Sequence, residues 1–294
     1  MRCCTGRISY LVFAGIWAEL VDLAFLIVLA LVVIREIATG KNWRNLPVAV
    51  LITLFAISHI VFHQPEMNAA AIRATFGVAA VLIALIGGRI VPSFTHNWLA
   101  ANSHPAANRM VSPMKIVDML VIALTAAALL GWVVLPFHPF VGVLLVLAGL
   151  GQLYRLARWQ GLATFREPLV WSLHAGFYWL FAALVLIGGA IVWPQAIPPA
   201  AGLHAMAAGL IGSMTLAVMT RASLGHTGRP RSASALTTTV FGLVHAGAVL
   251  RVAAAFNAND PASLIAAASL WSGAFALFAI GFTPMLLGAK RKPG

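Results

Sequence analysis

The chain has 294 residues, of which 61% are hydrophobic and only 9% are charged, and its mean hydropathy is +0.94. A water-soluble domain carries about 25% charged residues, so this composition excludes a soluble globule and predicts a polytopic membrane protein. The net charge of +12 does not indicate nucleic-acid binding, because the basic residues lie in short links between apolar runs. The adjacent Cys3 and Cys4 offer neither a disulfide framework nor a metal-binding spacing.

The apolar runs predict an all-α bundle of membrane-spanning helices. A hydrocarbon core of about 30 Å needs roughly 20 helical residues, and the runs give about nine spans. In chain order the predicted spans are 14–34, 46–63, 70–91, 115–135, 139–157, 168–193, 200–221, 233–256 and 262–287. We assign residues 14–294 to a single transmembrane helical domain, since no soluble domain interrupts the runs.

The basic residues predict the orientation of these spans. Of the 19 lysines and arginines, all but Arg2, Arg7, Arg73 and Arg251 fall on one side of the predicted membrane. That side is predicted to be cytoplasmic, together with the C-terminus. A chain that starts outside with MRCCTGR violates the same rule, so residues 1–13 are interpreted as the remnant of an upstream span. The alternative is a nine-helix protein with an outward N-terminus.

Several stretches resemble the NnrS family of bacterial membrane proteins. They are Ile86–Leu99, Leu156–Trp179 and Leu203–Pro230, with shorter matches at NWRNLP (Asn42–Pro47) and VDLAFL (Val21–Leu26). The signature ASLGHTGR, residues 222–229, is the most specific of these. The resemblance implies an inner-membrane protein of the nitric oxide (nitrosative stress) response that carries haem and copper.

This sequence departs from the family pattern at its start. Members begin with further N-terminal spans that carry an FRPFF-like segment and a WHxHEM-like motif, and neither motif occurs here. HQPEM (His63–Met67) shares letters with the second motif but follows a different helix. The departure implies that this chain holds an incomplete set of cofactor ligands.

Three histidines near the predicted outer ends of spans are candidate metal ligands. His59 and His63 are four residues apart and therefore lie on one helix face. His204, at the start of the seventh span, has a similar depth. Neutral imidazoles bind both haem iron and copper. The alternative is that these are interfacial histidines bonded to a backbone carbonyl or to water.

Two carboxylates near the outer end of the first span need a cationic partner. Glu19 and Asp22 are three residues apart, and Arg251 near the outer end of the eighth span is the predicted partner. We interpret the three as an architectural ion pair that joins two helices. Alternatively, the carboxylates orient a ligating histidine.

Polar residues also gather at the predicted inner end of the seventh span. Arg221, His226 and Arg229 follow it closely, accompanied by the hydroxyls and glycines of ASLGHTGR, and Arg89 and His174 lie at similar depth. Such a group predicts an anion-binding site, with haem propionates as the anion if haem is present. The alternative is that the arginines bind lipid headgroups.

The resemblance therefore favours a haem- and metal-binding stress protein over an enzyme, with the lipid bilayer, haem, copper and nitric oxide as partners. Two other functions stay open. One is a transporter or permease with polar groups at both faces. The other is a non-catalytic helical subunit, whose partner supplies the missing helices. Nucleic acid is not an expected partner.

Overall fold

The computed structural model describes residues 16–110, 115–257 and 260–288, with side chains from residue 23 onward. Throughout these ranges the chain is helical and no strand occurs, which confirms the predicted all-α bundle. The described ranges contain nine long helices. They are α1 (Ile16–Thr39), α2 (Leu46–Phe62), α3 (Asn68–Ala101), α4 (Ile116–Val134), α5 (Pro139–Ala157), α6 (Pro168–Val192), α7 (Pro199–His226), α8 (Ala235–Phe256) and α9 (Pro261–Leu287).

The helices α2 to α9 are the 8 described helices that are long and apolar enough to cross a bilayer. Most of their ends fall within a few residues of the predicted bounds. The first predicted span, 14–34, corresponds to α1, which has 24 residues. Three helices continue past the predicted end: α1 by five residues, α3 by ten and α7 by five.

Prolines and capping side chains define where several helices begin. α5, α6, α7 and α9 each start with a proline, whose missing N–H costs nothing at that position. The His138 Nδ1 accepts from the Phe140 N–H (3.3 Å) at α5, and the Glu167 Oε1 accepts from the Leu169 N–H (3.1 Å) at α6. These bonds satisfy N–H groups that would otherwise lack partners.

Asp260 caps α9 in the same way. Its carboxylate accepts from the N–H of Ser263 (2.9 Å) and from the hydroxyl of the same residue (2.9 Å). The backbone bond, followed by the hydroxyl bond, lowers the pKa of Asp260 below its usual range. The carboxylate therefore stays ionised at the positive end of the α9 dipole.

The prediction that α3 ends near residue 91 is wrong. The helix continues through the buried Pro92 to Ala101 and has 34 residues, about 51 Å at 1.5 Å per residue. Proline lacks the N–H that would bond the carbonyl four residues earlier. Neighbouring helices nevertheless hold such a helix together in a membrane bundle. The first ten residues of the link predicted between the third and fourth spans, 92–101, are therefore helical.

The chain divides into two compact units, one up to Leu82 and the other from Ile83 onward. In the first unit, α1 packs against α2. In the second unit, α6 and α7 are the most buried helices, and α6 contacts α5, α7 and α8. α4 packs on α5, and α9 on α8. The functional candidates on α6 and α7 therefore lie in the core of the second unit.

Candidate functional site

The end of α7 is built from the ASLGHTGR signature. The sequence suggested a loop after residue 221, but the helix continues to His226. The Arg229 N–H donates to the Leu224 carbonyl (3.0 Å), and the Gly228 N–H donates to the Gly225 carbonyl (3.3 Å). With Gly228 at φ 68°, this is a Schellman C-cap. The signature therefore ends a helix whose cap requires a glycine.

The hydroxyls of the signature also serve this helix end. The Thr227 hydroxyl donates to the Ser223 carbonyl at 2.7 Å and is buried. The neighbouring His226 side chain is exposed. The Arg229 Nη1 donates to the Met285 carbonyl (3.3 Å) in the last turn of α9, where a cation complements the helix dipole. His226 and Arg229 thus occupy the surface side of the predicted anion site.

Arg221 joins α7 to two other helices. Its guanidinium carbon lies 4.0 Å from the ring centre of Phe94 on α3, a cation–π contact. Its Nη1 donates to the Leu169 carbonyl of α6 at 3.4 Å. The side chain is half-buried. Arg221 is the member of the predicted site that is best placed to bind an anion.

His174 meets α3 one residue from the Arg221 contact. Its Nε2 lies 2.8 Å from the Thr95 hydroxyl, which itself lies 2.8 Å from the Val91 carbonyl. Because the hydroxyl hydrogen points to that carbonyl, we assign the imidazole proton to Nε2, which donates to Thr95. The Nδ1 faces Gly161, where an added Cβ would overlap the ring. The structure therefore brings His174 and Arg221 to the same turn of α3.

Arg89 is half-buried on α3, six residues before Thr95. It lies in the second unit with His174 and Arg221. Three of the five predicted inner residues thus share the region around one stretch of α3. The other two, His226 and Arg229, lie beyond it at the end of α7.

The outer histidine pair lies in the first unit. His59 and His63 are both half-buried, and their ring centres are 5.2 Å apart with an interplanar angle of 86°. Two imidazoles whose nitrogens each lie about 2 Å from one ion have ring centres roughly 5 Å apart. The two rings therefore have a separation compatible with one shared metal ion.

His204 and Arg251 lie on two helices that pack together in the second unit. His204 is half-buried at the last residue before a π-helical stretch of α7, and the first turns of α7 contact α8, which carries Arg251. Arg251 has a buried Nη1 with no hydrogen-bond partner in the described part of the chain. The side chains of Glu19 and Asp22 lie outside the described residues, so their pairing with Arg251 stays a prediction.

A buried charge network that the sequence did not reveal crosses α3, α4 and α5. Arg155 is fully buried, and its Nε donates to Asp118 Oδ1 at 2.9 Å. Its Nη1 donates to Gln152 Oε1 (2.7 Å) and to the Ala84 carbonyl (3.3 Å). Gln152 in turn donates to the Thr125 hydroxyl at 2.8 Å. The sequence had placed Arg155 in a link, whereas it points into the core.

The spacing of these polar residues in the sequence could have indicated the network. Gln152 precedes Arg155 by three residues and Asp118 precedes Thr125 by seven, so each pair lies on one helix face. Two polar pairs on apolar helices separated by a short link indicate facing polar surfaces. The count of basic residues for the positive-inside rule did not reveal this network, because it treats every arginine near the end of a span as a surface residue.

His245 on α8 is hydrogen-bonded to α6. The Trp179 Nε1–H donates to His245 Nδ1 at 3.1 Å. An indole nitrogen only donates, so Nδ1 is the acceptor and the neutral imidazole carries its proton on Nε2. That Nε2 is buried without a hydrogen-bond partner among the described residues. The ring centres of His245 and Trp171 lie 6.1 Å apart. In this arrangement Nε2 is a donor and not a metal ligand.

Comparison with known proteins decides the family. A family model described as NnrS protein matches residues 2–290. The chain belongs to the NnrS family. No curated protein and no solved structure matches it. Membership confirms the resemblance of the sequence stretches and gives a nitric-oxide-related membrane protein at the level of the family.

The histidines of this NnrS chain fit the family's metals only in part. Among the side chains of residues 23–110, 115–257 and 260–288, no three His, Cys, Asp or Glu converge as a metal site. His59 and His63 supply two ligands with a suitable separation, and His204 supplies a single imidazole, which is enough for one axial position on haem iron. His174 does not fit an axial role as it stands, because its Nε2 donates to Thr95 and Gly161 covers its Nδ1.

Proposed function

We propose that this NnrS-family protein binds haem and copper in the inner membrane and serves the cell's response to nitric oxide. The observation that carries the proposal is the presence of two histidine sites near helix ends. One is the His59–His63 pair, with ring centres 5.2 Å apart. The other is His204, half-buried in the part of α7 that packs against α8, the helix that carries Arg251. Haem and copper are the groups for which imidazole is a common ligand.

His204 and Arg251 are the proposed haem-binding residues. A haem needs an axial ligand and cationic partners for its propionates. The buried Nη1 of Arg251 has no hydrogen-bond partner among the side chains described from residue 23 onward, and a buried donor of this kind requires an acceptor. A propionate oxygen would satisfy it. Bound haem supplies iron that binds nitric oxide, while the protein orients the imidazole and excludes water.

His59 and His63 are the proposed copper ligands. Their i, i+4 spacing places both rings on one face of α2, and α2 holds them at a separation that suits a shared ion. Two imidazoles alone leave coordination positions unfilled. Residues of another segment or subunit would complete them.

The inner arginines cannot hold the same haem as His204. His204 and Arg221 are 17 residues apart along α7, a rise of about 25 Å, which exceeds the span of one porphyrin. We therefore propose that Arg221 and Arg89 bind a separate anion, with His174 held behind them by Thr95. His226 and Arg229 would extend this anion site at the surface.

An absorption spectrum of the purified holoprotein tests the proposal. We expect a Soret band, and we expect His204→Ala to abolish or shift it. His138→Ala is the matched control, because His138 is an exposed cap of α5. Metal analysis should show that His59→Ala and His63→Ala each lower the copper content. A holoprotein without a Soret band, or an H204A spectrum identical to the parent, would rule out the haem assignment.

A transporter is the second candidate, and the Arg155–Asp118 network favours it. Charged side chains in spans often mark substrate or proton pathways. A buried ion pair is also a common architectural element, although Arg155 Nη2 has no hydrogen-bond partner among the described residues. If Asp118→Asn abolishes uptake into vesicles while the Soret band is retained, the transporter is favoured. Loss of folding alone supports the architectural role.

A further inference from the structure

The link between α5 and α6, residues 158–167, presents two large apolar side chains to the outside. Leu162 is 87% exposed and Phe165 is 73% exposed. They lie three residues apart around a 3₁₀ turn, Gly161–Thr164, and side chains at this spacing project from the same face of a 3₁₀ helix. The turn therefore produces one apolar face from a short link.

The opposite side of the link is fixed to the protein core. Trp159 is 2% exposed and Thr164 is fully buried, with its hydroxyl donating to the Gly161 carbonyl at 2.7 Å. Gln160 adopts a left-handed conformation (φ 56°) that turns the chain between them. Leu162 and Phe165 therefore project from a rigid platform, so their exposure follows from the backbone.

The length of α5 places this platform at the membrane boundary. α5 has 19 residues, about 28 Å, which is close to the thickness of a hydrocarbon core of about 30 Å. In its last turns the exposed Tyr154 lies under the Arg158 guanidinium, 5.5 Å from ring centre to carbon. Aromatic and cationic side chains of this kind concentrate at the headgroup level. Leu162 and Phe165 follow within eight residues of Ala157.

The charges on the link match an anionic surface. Arg166 is exposed and follows Phe165 directly. The adjacent Glu167 carboxylate is directed to the Leu169 N–H as the cap of α6. Arg158 lies 3.7 Å from Asp118 and is mostly buried. Arg166 is thus the cation that the link turns outward.

We propose that the 158–167 link is a membrane anchor, in which Leu162 and Phe165 insert among the acyl chains of the adjacent leaflet and Arg166 binds an anionic lipid headgroup. Apolar side chains beside a basic residue are typical of interfacial binding. The anchor also holds Gly161 against the His174 ring. Access to that imidazole therefore depends on the bilayer.

Depth-dependent quenching in nanodiscs tests the insertion. The full chain carrying Cys3→Ser and Cys4→Ser receives a single cysteine, Leu162→Cys, labelled with an environment-sensitive fluorophore. Ala100→Cys at the exposed end of α3 is the water control, and Leu147→Cys at the middle of α5 is the hydrocarbon control. We expect a spin label near the headgroup to quench the label at 162 at least about twofold more than the label at 100. Equal quenching at 162 and 100 overturns the anchor and leaves the two side chains exposed to water.

Headgroup charge is tested by replacing neutral lipid with phosphatidylserine or phosphatidylglycerol. We expect the label at 162 to move deeper in the anionic nanodiscs, and we expect Arg166→Gln to remove this response. If the label at 162 in the parent protein lies at the same depth in neutral and anionic nanodiscs, Arg166 does not have the proposed role.

Hydrogen exchange at the imidazole carbon of His174 tests the coupling, read by mass spectrometry. The Leu162→Ser, Phe165→Ser double variant should increase the exchange rate of His174 several-fold. The already exposed His226 is the internal control and should not change. An unchanged rate at His174 in the correctly inserted double variant overturns the coupling to the site.

Discussion

At the scale of single residues, Arg155 shows how this bundle accommodates a buried charge. A guanidinium inside a membrane protein is costly unless its donors are satisfied. Asp118, Gln152 and the Ala84 carbonyl accept three of its hydrogen bonds. The guanidinium carbon also lies 5.5 Å from the Trp159 ring centre and 5.9 Å from that of Phe177. The arginine therefore organises the junction of α3, α4, α5 and α6.

Removal of the carboxylate should destabilise the protein strongly. Asp118→Ala would leave the buried Arg155 without its counter-charge, which costs about 3–5 kcal/mol. We expect a lower thermal unfolding midpoint in nanodiscs and a smaller folded fraction after heating. The control is Glu66→Gln, because Glu66 is an exposed carboxylate outside this network.

Replacement of both charges should restore much of that loss. In Asp118→Leu, Arg155→Met the fully buried guanidinium is removed together with its carboxylate, and well-packed apolar pairs often match or exceed buried ion pairs in stability. Arg158, 3.7 Å from Asp118, still loses its counter-charge, so recovery should be incomplete. If the double variant unfolds at the same temperature as Asp118→Ala, the ion pair does not explain the effect.

Gly88 is the residue that makes room for this arginine. A Cβ at position 88 would overlap Arg155 Nη2, which is fully buried. Gly88→Ala should therefore destabilise the fold by about 1–3 kcal/mol. Gly273→Ala is the matched control, because nothing lies within 4 Å of its added Cβ. The control should be neutral or slightly stabilising, since alanine favours helix over glycine by about 1 kcal/mol. Thermal unfolding of the two variants side by side distinguishes a steric effect from a general glycine effect.

At the scale of helices, the C-terminus of α7 depends on backbone conformation. Gly228 has φ 68°, a region in which an L-residue is disfavoured by roughly 1–2 kcal/mol. Gly228→Ala should lower stability by about that amount and loosen the turn that carries Arg229. Gly225→Ala is the control three residues earlier. It is helical, and its added Cβ would meet only Arg231 atoms at 3.7 Å or beyond. Hydrogen exchange of the amides at 226–231 should rise in the first variant only, and equal behaviour of the two would contradict the Schellman cap.

The sequence predicted the positions of the helices more accurately than the contacts between them. Proline and capping residues mark the starts of α5, α6 and α9, so these bounds followed from local chemistry. The predicted third span ended just before Pro92, whereas α3 continues through it. A single sequence does not show the neighbouring helices that hold a proline-containing helix together. The Trp179–His245 bond and the Arg155–Asp118 pair join residues 66 and 37 positions apart. Such pairings depend on tertiary packing, and the candidate site could be predicted only as residue types at common depths.

At the scale of the whole molecule, the distribution of charge still predicts the orientation after the helix bounds are corrected. Arg89, Arg155 and Arg221 lie within α3, α5 and α7, not in links, and each of them has an interaction within the protein. The links after α1, α3, α5 and α7 retain basic residues, whereas the link after α6, WPQAIPP, has none. The positive-inside rule counts charges in such short links. It still predicts that the C-terminal side of α7 faces the cytoplasm.

Cysteine labelling of intact cells checks this orientation. In a Cys3→Ser, Cys4→Ser background, Gln195→Cys lies in the exposed link before α7 and Ser232→Cys lies in the exposed link after it. A membrane-impermeant maleimide should label position 195 in intact cells and position 232 only in inside-out vesicles, because the arginines beside Ser232 resist transfer across the membrane. Permeabilised cells, in which both positions should react, control for burial of the thiols. The reverse pattern would place Arg229 and Arg231 outside the cell and His204 near the cytoplasmic face.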